Sequence, residues 1–232
     1  MKNVLFCQQK YLPLHGMAKK TVWQDDFWLP VMQLYLKHPT GVKATYSRDM
    51  VSLSMELHVA PPVLVERMQQ IAKLSTPRLE HIWEVYSSNP RRLKRAVSLW
   101  RQMRGFGSAD SFYEGVDVEE SFESDFRPLD EDERLTPVAL IIMLDLYFKL
   151  TPQTMAVETP EVQELARLMK IEIALVVSVL KTYQLCDPYL NRRVSSPMPL
   201  LAPCKKVWRR YGNGDTEQLA EYAEELKAFY KG

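Results

Sequence analysis

Basic side chains are concentrated in one stretch of the sequence, and phosphate binding is the chemistry that they suggest. Residues 78–107 carry seven Lys or Arg against two Glu. The pair Asn89-Pro90 predicts the start of a helix that continues to about Met103. One face of this helix carries Arg91, Lys94, Arg95 and Arg101, and Arg92 is a fifth cation of the same helix. Because Lys and Arg can neutralise phosphates, these five are the predicted phosphate contacts.

The opposite face of the same predicted helix is apolar. It is formed by Leu93, Ala96, Val97, Trp100 and Met103. A helix with one apolar and one charged face packs by the apolar face and presents the other to solvent. We therefore expect the cations to face outward.

Patterns typical of enzymes are missing from the sequence. There are only 8 glycines and no glycine-rich phosphate loop of the GxxxxGK or GxGxxG type. The three cysteines, Cys7, Cys186 and Cys204, are widely spaced and form no CxxC pair. His81 with Glu80 or Glu84 could supply two metal ligands, but a site needs three or four. We expect a protein without enzymatic activity, metal or cofactor.

An acidic stretch follows the basic helix. Residues 108–134 carry eleven Asp or Glu against two Arg and show no sustained periodicity. The composition is typical of an interdomain linker. Two interpretations remain open: a solvated loop beside a solvated basic face, or a lid that covers the basic face as nucleic acid would.

The sequence contains a repeat with a spacing of 112 residues. The tetrapeptide Leu34-Tyr35-Leu36-Lys37 returns as Leu146-Tyr147-Phe148-Lys149. Apolar positions match at the same spacing over about fifty residues, as the Met50 and Val162 pair illustrates. A shared apolar spacing of this length predicts a duplicated helical unit.

Each copy predicts a long helix followed by two shorter ones. The two shorter helices meet in a characteristic spacing: a small residue in the first of them is followed four positions later by a turn residue and five positions later by an aliphatic residue. This is the spacing of a helix-turn-helix. The small residues, Ser54 and Ala166, are expected where the helices cross closely. The turn residues are His58 and Lys170, where a glycine is more usual.

The helix after this turn differs between the copies. In the first copy it offers Arg67 and Gln70, which are the predicted contacts to base edges. In the second copy, residues 173–180 are apolar nearly all round, which suits burial against the first repeat or another subunit and not a polar groove.

The second copy resembles a known helical module. The segments that carry the resemblance are residues 144–150, residues 159–168 and Leu185-Cys186-Asp187-Pro188. Together they resemble the helix-turn-helix-like module that precedes the nuclease domain in bacterial HNH-type restriction endonucleases. The four histidines of this chain do not form the paired-histidine metal finger of such a nuclease. The resemblance therefore implies a DNA-associated accessory role and no catalytic residue.

The predicted architecture is all-α, with two related helix-turn-helix-like subdomains. Its parts are an arm (1–22), a first repeat with the basic helix (23–107), an acidic linker (108–134), a second repeat (135–190) and a basic C-terminal segment with a helix (191–232). No apolar run approaches the roughly 20 residues of a membrane span, so we expect a cytoplasmic protein without a membrane partner. The predicted function is non-enzymatic DNA binding, and the alternative is a protein-interaction adaptor or a dimerisation module.

Overall fold

The chain folds into helices throughout the part that the structure covers. The computed structural model describes residues 23–104, 122–190 and 198–231. These residues form eleven α-helices and no strand, so the predicted all-α class is confirmed. Outside the described residues lie the predicted arm (1–22), the end of the predicted first repeat (105–107), the first part of the predicted linker (108–121), residues 191–197 and residue 232.

The helices are numbered in chain order. The first half contains α1 (Trp28–Leu36), α2 (Arg48–Leu57), α3 (Pro61–Lys73), α4 (Pro77–Tyr86) and α5 (Pro90–Arg104). The second half contains α6 (Phe122–Asp125), α7 (Pro137–Lys149), α8 (Pro160–Met169), α9 (Ile173–Cys186), α10 (Leu201–Val207) and α11 (Thr216–Leu226). A short π-helix, Trp208–Gly212, follows α10, and a short 3₁₀-helix, Lys227–Phe229, follows α11.

The first half has a core of its own around α1. Helices α2, α3 and α5 all pack on α1. Val31 of α1, Leu64 of α3 and Val97 of α5 are fully buried in this core. Aromatic rings close it at one end, where Phe27 and Trp100 meet edge to face with ring centroids 6.2 Å apart. Because α5 packs through its apolar face, its charged face is turned to solvent.

The second half has a larger core with α7 at its centre. All ten residues from Val138 to Tyr147 are buried. Thr136 caps this helix, since its Oγ1 accepts a hydrogen bond from the backbone N–H of Ala139 at 3.2 Å. Helices α8, α9, α10 and α11 all pack against α7. A helix that is apolar on every side needs such neighbours on every side.

Helix α9 is buried, as its sequence predicts, but its partners are different from those expected. It packs against α7, α8 and α10 of its own half. Among the described residues its main partners are therefore not in the first repeat, and the expectation of packing against another subunit stays a prediction. The sequence could not reveal this because α10 follows a proline-rich stretch and is only seven residues long.

Helix α2 contributes to both cores. Met50 and Leu53 point into the smaller core, whereas Val51 belongs to the larger one. Tyr46, just before α2, also lies in the larger core, 5.8 Å from the Tyr222 ring. The two halves are thus joined through α2 and Tyr46.

The second part of the predicted acidic linker is folded, which corrects the expectation for residues 122–134. It begins with α6, whose Glu123 and Asp125 are buried. Arg210 donates two hydrogen bonds to Asp125, at 2.9 and 3.1 Å. Glu123 lies 2.8 Å from Nδ1 of His58. A buried carboxylate needs such partners, and these come from positions far away in sequence.

The α2–α3 and α8–α9 pairs have matching turns. His58 (φ 54°) and Lys170 (φ 58°) both adopt the left-handed conformation. After each turn residue, a backbone N–H donates back across the turn, Val59 to the Ser54 carbonyl at 3.0 Å and Ile171 to the Ala166 carbonyl at 3.1 Å. These matches support the duplication hypothesis, which remains a proposal.

Candidate nucleic-acid interface

The start of α5 is fixed by its cap and by its buried side. The side-chain oxygen of Asn89 accepts a hydrogen bond from the backbone N–H of Arg92 at 3.0 Å. Leu93, Val97 and Trp100 are buried on the inner side. Together they hold the helix in one orientation, so the outward direction of its cations follows from packing.

Four of the predicted phosphate contacts are exposed on the first two turns of α5. They are Arg91, Arg92, Lys94 and Arg95. None of the four forms an ion pair with another residue in the ranges that the structure describes. The Arg92 guanidinium lies 5.6 Å from the centroid of the Tyr86 ring, a distance that a cation–π contact permits.

These cations lie at the positive end of a helix dipole. The first turn of α5 contains no acidic residue. Acidic side chains are the usual complement of a helix N-terminus, and phosphate groups can take their place. The absence of an acid from that turn leaves a concentrated positive potential that an external anion would reduce.

Arg101, the fifth predicted phosphate contact, forms an ion pair with Glu56. Its Nε and Nη2 donate to the two carboxylate oxygens of Glu56, at 2.6 and 2.9 Å. This hydrogen bonding to Glu56 raises the pKa of Arg101 above its ordinary value. The pair connects α5 to α2, and no local sequence pattern indicates it because the two residues are 45 positions apart.

The predicted base-edge residues, Arg67 and Gln70, contact each other on α3. Arg67 Nη1 donates to the Gln70 side-chain oxygen at 3.0 Å. The Arg67 guanidinium also lies 4.7 Å from the Trp23 ring and 5.9 Å from the Trp28 ring. Both residues are half-buried. The contacts hold Arg67 against the aromatic cluster, so reading a base edge would require it to leave Trp23.

Two apolar side chains on α5 are exposed. Leu99 is 57% exposed, and Met103, predicted for the inner face, is 67% exposed. Met103 is exposed because α5 is longer than the helix on which it packs: α5 has fifteen residues and α1 has nine. Since Trp100 meets Phe27 at the start of α1, the last turn of α5 extends beyond its partner helix.

Comparison with known proteins gives no further guidance. No family model, curated protein or solved structure matches this chain. Within the described ranges, no helix has both the length and the apolar character that crossing a bilayer requires. The same residues contain no group of three or more His, Cys, Asp or Glu placed to hold a metal ion.

Proposed function

We propose that this chain is a non-enzymatic DNA-binding protein that contacts backbone phosphates through α5. The observation that carries the proposal is the row of four exposed cations, Arg91, Arg92, Lys94 and Arg95, at the N-terminal end of a rigidly packed helix. Such a row suits phosphate contacts, which position a protein on DNA and carry no sequence information. Arg101 and the Arg67–Gln70 pair have partners within the protein and would contribute less.

Salt dependence of duplex binding tests the proposal. Four phosphate contacts predict a slope of about −3.6 for log K against log salt, and hence a roughly hundredfold loss of affinity between about 50 and 200 mM salt. The measurement is fluorescence anisotropy with a random-sequence duplex. In the double variant Arg91→Glu, Arg95→Glu, we expect binding to be lost at low salt.

A matched control has the same change in net charge at another place. Lys206 and Arg209 are exposed in the second half of the chain, far along the sequence from α5. The double variant Lys206→Glu, Arg209→Glu should bind as the wild type does. A wild-type protein without salt-sensitive binding, or an equal loss in both double variants, would contradict the proposal.

A second candidate function is a protein-interaction or dimerisation module. The specific observation in its favour is the exposure of Leu99 and Met103, four residues apart on one side of α5. Large exposed apolar side chains next to each other are a frequent feature of protein interfaces. Self-association of the wild type in sedimentation velocity without DNA, abolished by Leu99→Ser and Met103→Ser together, would favour this function.

A further inference from the structure

A cleft opens in the second half of the molecule, away from α5. It lies between α7, α8 and the end of α11 with the residues that follow it, and its volume is about 580 Å³. This size is within the range of small-molecule sites, roughly 300–1,000 Å³. The floor is apolar and consists of Ile142, Leu146, Leu165 and Leu168.

Four carboxylates line this cleft, and Asp145 of α7 is the buried one among them. The residue is only 4% exposed. Its Oδ2 accepts a hydrogen bond from Lys149 Nζ at 2.6 Å. Its Oδ1 accepts no hydrogen bond from any described residue. Oδ1 is not one of the fully buried polar atoms without a partner, so it can accept a hydrogen bond from a molecule in the cleft.

The existing partner of Asp145 is much more exposed than Asp145 itself. The Lys149 side chain is 53% exposed and reaches Asp145 from one helical turn away. An exposed lysine gains little from such a pair, because water solvates its ammonium group equally well. A ligand cation that brings its own apolar body could therefore take its place without a large loss.

The other charges around the cleft do not supply a competing cation close to Asp145. Lys227 and Lys231 both bind Glu224, at 2.8 and 3.2 Å. On α8, Glu161 and Glu164 are exposed acids and Arg167 is an exposed base. The α8 side has an excess of one negative charge, and over the whole lining four acids are balanced by four bases, so no net positive charge opposes a cation.

The carboxylate belongs to the second copy of the repeat alone. At the spacing of 112 residues, Asp145 corresponds to the neutral Gln33 of α1. Asp145 is also the only charged residue between Thr136 and Lys149, within an otherwise apolar helix. Packing of α7 does not require a charge at this position, since an apolar residue would satisfy the core equally well.

We propose that this cleft binds a small organic cation, an amidinium or primary ammonium with an apolar body, for which Asp145 is the counter-ion. The cation would pair with both carboxylate oxygens, and its body would cover the leucine floor. Lys149 would turn to solvent. The proposal is independent of DNA binding through α5.

Benzamidine and its neutral analogue benzamide test the proposal by isothermal titration calorimetry. Benzamidine should bind the wild-type protein about tenfold or more tightly than benzamide, because only the amidinium forms charge-assisted hydrogen bonds. Asp145→Asn should remove this preference. Lys149→Met should strengthen benzamidine binding, because it removes the competing cation, and a purely structural Asp145 would not produce that effect.

Circular dichroism of each variant tests whether it is folded. Glu161→Gln is the matched control: it neutralises an exposed carboxylate at the edge of the cleft and should weaken benzamidine binding only slightly. Equal binding of benzamidine and benzamide would overturn the proposal. So would the absence of benzamidine binding in both the wild type and Lys149→Met. Full benzamidine preference retained in folded Asp145→Asn would do the same.

Discussion

Burial controls the chemistry of the two cysteines in the described residues, Cys186 and Cys204. Desolvation raises the pKa of the half-buried Cys186 thiol to about 11, and it raises the pKa of the fully buried Cys204 thiol even further. A thiol reacts through its thiolate, so both residues should be slow nucleophiles at neutral pH.

Alkylation by iodoacetamide should follow these pKa values. Because the Cys186 pKa is raised, its thiolate fraction at pH 8 is smaller than that of an ordinary cysteine and increases as the pH approaches 11. We expect slow labelling of Cys186 that accelerates with pH, and slower labelling of Cys204. Peptide mapping by mass spectrometry measures each site separately. Equal rates in the folded and urea-unfolded chain at pH 8 would contradict the prediction.

Arg101 illustrates which part of the site the sequence could predict. Its helical phase on α5 follows from local spacing, and the structure does place it on the exposed side. Its partner Glu56 lies on another helix, and the pairing depends on how α5 and α2 meet in space. The contact between Arg67 and Trp23 could not be predicted for the same reason. Local patterns determine which side chains share a helix face, whereas tertiary packing determines which of them can still contact an external ligand.

At the scale of the helices, the caps and turns were the most predictable elements. The predicted Asn89 cap is formed by a hydrogen bond to its side chain, and Thr136 and Asp215 cap their helices in the same way. Such signals are local and depend on a few neighbouring residues. The α6 helix was missed, because four residues in an acidic stretch contain no periodic signal.

The turn between α8 and α9 provides a test of backbone strain. Lys170 adopts φ 58° without the freedom of glycine, and its side chain is exposed. Lys170→Gly should therefore raise the free energy of unfolding by about 0.5–1 kcal/mol, as measured by urea denaturation.

His58→Gly is the matched variant in the first copy. It relieves the same strain at φ 54° but removes the contact with Glu123. Its gain in stability should be smaller than that of Lys170→Gly, or should become a loss. A destabilised Lys170→Gly protein would show that the left-handed turn is not under strain.

At the scale of the whole molecule, Tyr46 joins the two halves, because it comes from the first half and is buried in the larger core of the second. It is 2% exposed, and its ring lies 6.3 Å from Phe126 and 5.8 Å from Tyr222. Tyr46→Ala should lower the free energy of unfolding by about 3–5 kcal/mol, because it leaves a cavity between the halves. We also expect unfolding to separate into two steps.

Tryptophan fluorescence can resolve those steps. Four of the five tryptophans, Trp23, Trp28, Trp83 and Trp100, are in the first half, and Trp208 is in the second. Tyr35→Ala is the control, because Tyr35 packs on Trp83 within the smaller core alone. A single urea transition for Tyr46→Ala with an unchanged midpoint would contradict a joining role for this residue.

The sharing of α2 between the cores has a consequence for how the molecule could be assembled from pieces. One piece, residues 23–104, would display Tyr46 and Val51, and the other, residues 122–231, would display the apolar hollow that receives them. Such complementary surfaces favour spontaneous reconstitution of a split protein. Covalent continuity between Arg104 and Phe122 would then serve to raise the local concentration of one piece near the other.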